Sequence, residues 1–212
     1  MKRFAILAVC LGIVAGSADA QKVTFGAGVK GGVTISAFQD LIKEFYGIGY
    51  TFGGHLDANI VPAFSLRLGV DYYSFGADTD KLKPFVAAEA GVPVTSIDNL
   101  SGGSINIFAV TLNGLGKLPT KSSIVPYGLF GVGIHNISLS DITGSAEGQE
   151  GSLSADDIGF KEGTKFGLNF GVGTEFHMKK IVLFVQAGYT LVFTEDESNG
   201  GIPIVVGVSF TF

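Results

Sequence analysis

Three histidines, His55, His135 and His177, are the residues of this chain best suited to proton transfer or metal binding. They stand far apart, with no second His or Cys at ligand spacing, and no acidic stretch follows the EF-hand pattern, so neither a metal site nor a cofactor is expected. A serine nucleophile needs a base within hydrogen-bond reach. The nearest pair is His135 and Ser138, which in an extended strand point to opposite faces, so no catalytic residues are expected. The opposite charges Asp57 and Arg67 say more. They flank the short turn Val61-Pro62-Ala63. If Ile60 opposes Phe64 across it, Ala58 meets Leu66, Leu56 meets Leu68 and Asp57 meets Arg67. An ion pair between Asp57 and Arg67 is predicted on the polar face.

The elements that would hold such a pair are strands. Successive side chains of a strand point to opposite faces, and the chain alternates apolar and polar residues with period two. Eight segments are predicted, at about 23–35, 47–60, 64–75, 105–118, 125–137, 165–177, 181–193 and 202–212. In the sixth, Phe166, Leu168, Phe170, Val172 and Phe176 alternate with Lys165, Gly167, Asn169, Gly171, Gly173 and Glu175. The fourth is less clean, with Phe108, Val110 and Leu112 assigned to the apolar face. A strand of 13 residues is about 43 Å long, and tilted by ~45° it projects to about 30 Å, the thickness of a hydrocarbon core. Connections alternate short (61–63, 119–123, 178–180) and long (36–46, 76–104, 138–164, 194–201). Short turns on one side and long loops on the other is the asymmetry of outer-membrane barrels.

The fold class expected is all-β, an eight-stranded antiparallel transmembrane barrel with short periplasmic turns and long extracellular loops. A bilayer offers no partner to an unpaired backbone group, so only a closed sheet can cross it. An eight-stranded interior is just wide enough for side chains. Glycines on the polar face would leave room there for Lys30, Arg67, Asp71, Lys165 and Glu175. Two helices are expected in loops: one capped by Ser36, and one over Pro84 to Ala90 ended by Gly91.

Composition agrees. Charged residues are 16% of the chain, against about 25% in soluble domains, with 32 Gly and 18 Phe. Lys2 and Arg3, the apolar run Phe4 to Val14 and the small residues Ala18 and Ala20 read as an export signal cleaved before Gln21. Residues 1–20 are thus expected to be a signal peptide and 21–212 one barrel domain. The single cysteine, Cys10, falls within the signal, so no disulfide is expected. The net charge of −5, one unit more negative after cleavage, gives no electrostatic case for nucleic acid.

At four places the residues resemble the small outer-membrane β-barrel family that includes OmpA-type, OmpX-type and opacity-type porin-family proteins. These are Val29-Lys30-Gly31-Gly32-Val33, the run Pro126 to Gly133, Phe184 to Tyr189, and the terminal alternation Val206, Val208, Phe210, Phe212. Many members carry an acidic residue where Gln186 stands. The resemblance implies insertion by the outer-membrane assembly machinery, with Phe210 and Phe212 as the terminal signal. It implies outer-membrane lipids and lipopolysaccharide as surroundings. It does not imply one activity. Barrels of the wider group that deacylate lipid A use a His-x-Ser pair, which His135 and Ser138 do not match.

The long loops are acidic (Asp141, Glu147, Glu150, Asp156, Asp157, Glu162, then Glu195, Asp196, Glu197), and the turns carry Lys121, Lys179 and Lys180. The acidic loops are read as hydrophilic surface, and cations bridging them to lipopolysaccharide as the rival. The expected role is non-enzymatic: structural, or adhesion-like contact with a host or matrix surface ligand through loops two and three. A lipid-modifying enzyme and a small-solute channel are the alternatives.

Overall fold

The computed structural model describes residues 23–37, 45–146, 149–155, 157, 160–194 and 198–212. Among them the strands, in chain order, are β1 (Thr24–Ser36), β2 (Ile48–Val61), β3 (Phe64–Phe75), β4 (Ile97–Gly102), β5 (Ile105–Lys117), β6 (Ile124–Leu139), β7 (Ile142–Ala146), β8 (Gln149–Leu153), β9 (Gly163–Met178), β10 (Ile181–Phe193) and β11 (Ser198–Thr211). One α-helix among the described residues, α1 (Thr79–Ala90), lies between β3 and β4.

Eight strands close a barrel in the order β1-β11-β10-β9-β6-β5-β3-β2, antiparallel throughout. The first and last strands meet at the seam, where Phe25 and Phe212 exchange two backbone hydrogen bonds of 3.2 and 2.8 Å. Every barrel strand keeps its alternation. Phe166, Phe170 and Phe210 point outward with Val29, Leu56, Leu68 and Val206, all exposed on the lipid side. Exposed aromatics gather at both ends, with Phe25, Phe64, Phe176 and Phe210 near the turns and Tyr50, Phe108, Phe166 and Phe193 near the loops, as the two interfacial girdles of such barrels do.

The hairpin of β2 and β3 pairs Ala58 with Leu66, Leu56 with Leu68 and Asp57 with Arg67. One detail departs from expectation: Phe64 opposes Val61 rather than Ile60, because an irregularity between Asn59 and Val61 absorbs a residue.

Loops two and three pair with each other. Strand β7 lies between β4 and β8 in a separate three-stranded sheet. Helix α1 starts at Thr79, five residues before Pro84, and ends as expected at Gly91, whose φ of 67° suits a residue without Cβ. The longer helix places Val86 and Ala87 in a small core with Ile97 and Ile142, so tertiary burial outweighs the backbone bond that Pro84 cannot make. At Gly102 (φ 90°) the chain leaves β4 for β5; a Cβ there would come within 1.9 Å of the Asp141 carbonyl oxygen. The helix expected after Ser36 falls outside the described residues, and Ser36 itself is the last residue of β1.

Candidate functional site

Among the described residues, the lumen is where charged side chains are buried together. Its periplasmic half is polar. Arg67, 2% exposed, donates from Nε to Asp57 Oδ1 at 2.7 Å and from Nη2 to Oδ2 at 2.9 Å, a bidentate pair. Its guanidinium lies over the Phe184 ring, 5.0 Å from the centroid. Below this pair, toward the turns, Lys117 Nζ and His177 Nε2 both reach Glu175 Oε2 at 2.9 Å. Above it, Lys30 bridges to Asp71 at 3.0 Å. Tyr127 donates to Gln186 at 3.0 Å, and Leu115 and Leu129 pack beside Tyr127 as a small apolar wall.

Glycine makes this crowding possible. Gly28 sits between His55 on β2 and Ser209 on β11. A Cβ at Gly28 would stand 2.6 Å from the His55 ring, so its absence lets the imidazole lie across β1 and reach Ser209 Oγ at 2.8 Å. Gly207 does the same for Phe184, whose ring would lie 2.3 Å from an added Cβ.

The extracellular half differs from expectation. Rather than charge, an apolar plug fills it, with glycine again leaving the room: a Cβ at Gly49 would stand 2.7 Å from the Phe75 ring. Tyr73, Phe75, Ile105, Ile107, Ala109, Ile137, Leu139 and Val192 are all buried in one cluster, against which Tyr46 and Ala155 pack from the loops. The reason lies in β5, where Ile105 and Ile107 face inward while Phe108 and Leu112 face lipid. Tyr46 donates its hydroxyl to the Gly103 carbonyl oxygen, and burial pushes its phenol up to about 12. His135, 0% exposed beneath the plug, has no protein partner for either ring nitrogen among the described residues.

Among the described residues, the empty space in the lumen is broken up. A vestibule of ≈ 450 Å³ opens at the turn end, lined in part by Asn59, Lys117, Glu175, His177, Ser209 and Thr211. Above it lie gaps of only ≈ 30 Å³ around Arg67, Asp71, Asn113 and Asn169 and ≈ 20 Å³ beside Phe75 and His135. Each has the volume to hold a water molecule.

Catalytic groupings can be judged from the same geometry. Ser138 bonds toward the Asn106 carbonyl on the outer side of β6, whereas His135 points into the lumen, so the two do not meet. His55, Ser209 and Asp57 do meet, but Asp57 Oδ2 lies 3.7 Å from the same Nε2 that contacts Ser209, and Nδ1 has no partner among the described residues. A catalytic triad puts the carboxylate on Nδ1 and the serine on Nε2. Among the described residues no three His, Cys, Asp or Glu side chains stand together as a metal site.

Sequence reasoning places Asp57 and Arg67 in register, and the structure brings them together. It misses the links Lys30–Asp71, Lys117–Glu175 and His55–Ser209. Alternation assigns all of these residues to the inner face, yet which of them meet across the closed sheet is not written in any one strand. Phe210 faces lipid and pairs with Ala27 and Ile181, beside the seam that Phe212 helps to close.

The loop cap is the second candidate. Acidic Asp141 and Asp157 lie on it, with Asp157 accepting from Ser154 N at 2.8 Å and Ser154 Oγ at 2.7 Å, which holds its carboxyl below the usual range. Glu147, Asp156 and Glu195 to Glu197 lie outside the described residues. Among the described residues, strand β8 has a neighbour, β7, on one side only.

The family model described as outer membrane protein beta-barrel domain matches residues 6–212. Among solved structures, the chain is similar to Neisserial surface protein A, at 14% identity and TM-score 0.54, over 91% of this chain and 100% of that one. It is also similar to a major outer membrane protein from Thermus thermophilus, at 13% identity and TM-score 0.56, over 91% of this chain and 100% of that one. These likenesses show a shared fold. No curated protein matches the chain by sequence.

Proposed function

The chain belongs to the outer membrane protein beta-barrel family and resides in the cell outer membrane, and from that premise we propose a structural and surface-interaction role carried by the extracellular cap. The observation that carries this reading is the order in loops two and three. A plain connection needs no helix, no separate three-stranded sheet and no core of its own, because ordering each residue costs about 1–2 kcal/mol of backbone entropy. The cap presents the outer edge of β8 and an acidic surface held on a rigid barrel. The plug beneath it speaks for binding at the surface rather than passage through the lumen.

The test replaces residues 79–102 and 141–155 by short turns and measures attachment of the producing cells to host cells and to extracellular matrix. Attachment should fall to background while the unheated protein keeps its faster gel mobility. Undiminished attachment by a folded, capless barrel would remove the reading.

Two further roles belong to the same proposal. Residues 1–20 act as an export signal, so the mature protein should begin at Gln21 by terminal sequencing. Phe210 and Phe212 serve recognition by the assembly machinery: Phe212→Ala should slow insertion in cells while leaving refolding into vesicles unchanged.

A further inference from the structure

On the lipid face, where β9, β10, β11 and β1 run side by side, a shallow groove of ≈ 520 Å³ is lined by Phe176, Leu183, Val185, Val206, Val208 and Val29. Its cause is a missing side chain. The outward row of β1 runs Ala27, Val29, Gly31, Val33, and Gly31 lies opposite Val206 of β11 with no Cβ to fill the space between the taller rows on either side.

The groove stands at a definite depth. Phe176 and Leu183 are paired across β9 and β10, two residues above the pair Met178 and Ile181 that closes the hairpin. Two residues of a strand tilted by ~45° rise only about 5 Å, so the groove lies in the periplasmic half of a ~30 Å hydrocarbon core. At its foot the hairpin tip is Lys179 and Lys180, both exposed and neither in an ion pair among the described residues. The nearby carboxylate Glu175 is buried inside the barrel and taken up by Lys117 and His177.

We infer that this groove is a binding site for one anionic phospholipid of the periplasmic leaflet, its acyl chain along the groove and its phosphate at Lys179 and Lys180. The apolar lining within the membrane belt suits a hydrocarbon chain, and the two cations at the interface suit an anionic rather than a zwitterionic headgroup. Basic side chains near a membrane surface select anionic lipid in just this way, and a chain confined in a groove loses less contact than one sliding over a smooth barrel wall.

The full-length folded protein, exchanged from vesicles of equal parts phosphatidylcholine and phosphatidylglycerol, is analysed by native mass spectrometry for retained lipid. One phosphatidylglycerol should stay bound with a roughly 10- to 30-fold preference, the scale of two lysines at an anionic surface. Gly31→Leu should abolish retention by filling the groove; the nearest atom to a Cβ there is the Thr51 carbonyl oxygen at 3.7 Å, so the barrel accommodates it. Val206→Phe, narrowing the opposite wall, should act likewise. Lys179→Ala with Lys180→Ala should keep a bound lipid but lose the headgroup preference. Gel mobility of the unheated variants checks that each is folded. Equal retention of both lipids by the parent chain, or retention unchanged in Gly31→Leu and Val206→Phe, would overturn the site.

Discussion

The two halves of the lumen solve the problem of a filled interior by opposite means. Near the turns, buried charges are held because each has a partner: Arg67 with Asp57, Lys117 with Glu175, Lys30 with Asp71. Near the loops, Phe75, Ile105, Ile107, Ile137 and Val192 pack as an ordinary apolar core. The polar half adjoins an open vestibule and stays within reach of periplasmic water. The apolar half lies between that vestibule and the loops. The first depends on pairing and the second on volume, so they should fail in different ways.

Introduced cysteines would test the division most sharply, since the only native one, Cys10, lies in the expected signal. Thr211→Cys in the vestibule should react readily with a charged thiol reagent, whereas Ile107→Cys in the plug should stay protected for as long as the barrel is folded. Comparable reaction rates would show that the plug is no seal.

Next in size is the buried pair. Arg67→Met leaves Asp57 without its partner and should cost about 3–5 kcal/mol in urea unfolding from vesicles. Adding Asp57→Leu should recover most of that loss, because two apolar groups need no partner. Absence of recovery would mean that Arg67 matters through Phe184 and packing, not through charge.

Phe75→Ala in the plug should cost about 3 kcal/mol by leaving a cavity, and here no second deletion should rescue it. A rescue by a neighbouring truncation would blur the contrast between the halves. The smallest expected effect is at the plug's attachment to the loops. Tyr46→Phe removes the hydrogen bond to Gly103 and should cost about 1 kcal/mol, read in the same unfolding experiment. Ultraviolet titration should show the Tyr46 phenol still protonated at about pH 11, above the ordinary tyrosine range.

Much of this architecture was legible from residue order. The outward rows, exemplified by Phe166, Leu168, Phe170 and Val172, and the short turns predicted eight strands, and the register across Pro62-Ala63 put Asp57 beside Arg67. The apolar plug had left a trace as well. The segment 105–112 is apolar on both faces, which made its alternation look poor and in fact marks a stretch covered by lipid on one side and by core on the other. The cap was not legible. Strands β4, β7 and β8 have six, five and five residues, too short and too polar to show a period, and they exist only because two loops distant in sequence meet above the barrel.

Residue order by itself determined what is local: which side chains share a face, where each strand turns back, and, beyond the residue at the turn itself, which partners stand opposite across the hairpin of β2 and β3. Closure determined the rest. Placing β1 beside β11 brought Ser209 to His55, and winding all eight strands into a narrow cylinder carried Lys117 to Glu175 and Phe184 beneath Arg67. Contacts across a lumen depend on strand tilt and stagger summed around the whole sheet, quantities that no single segment contains.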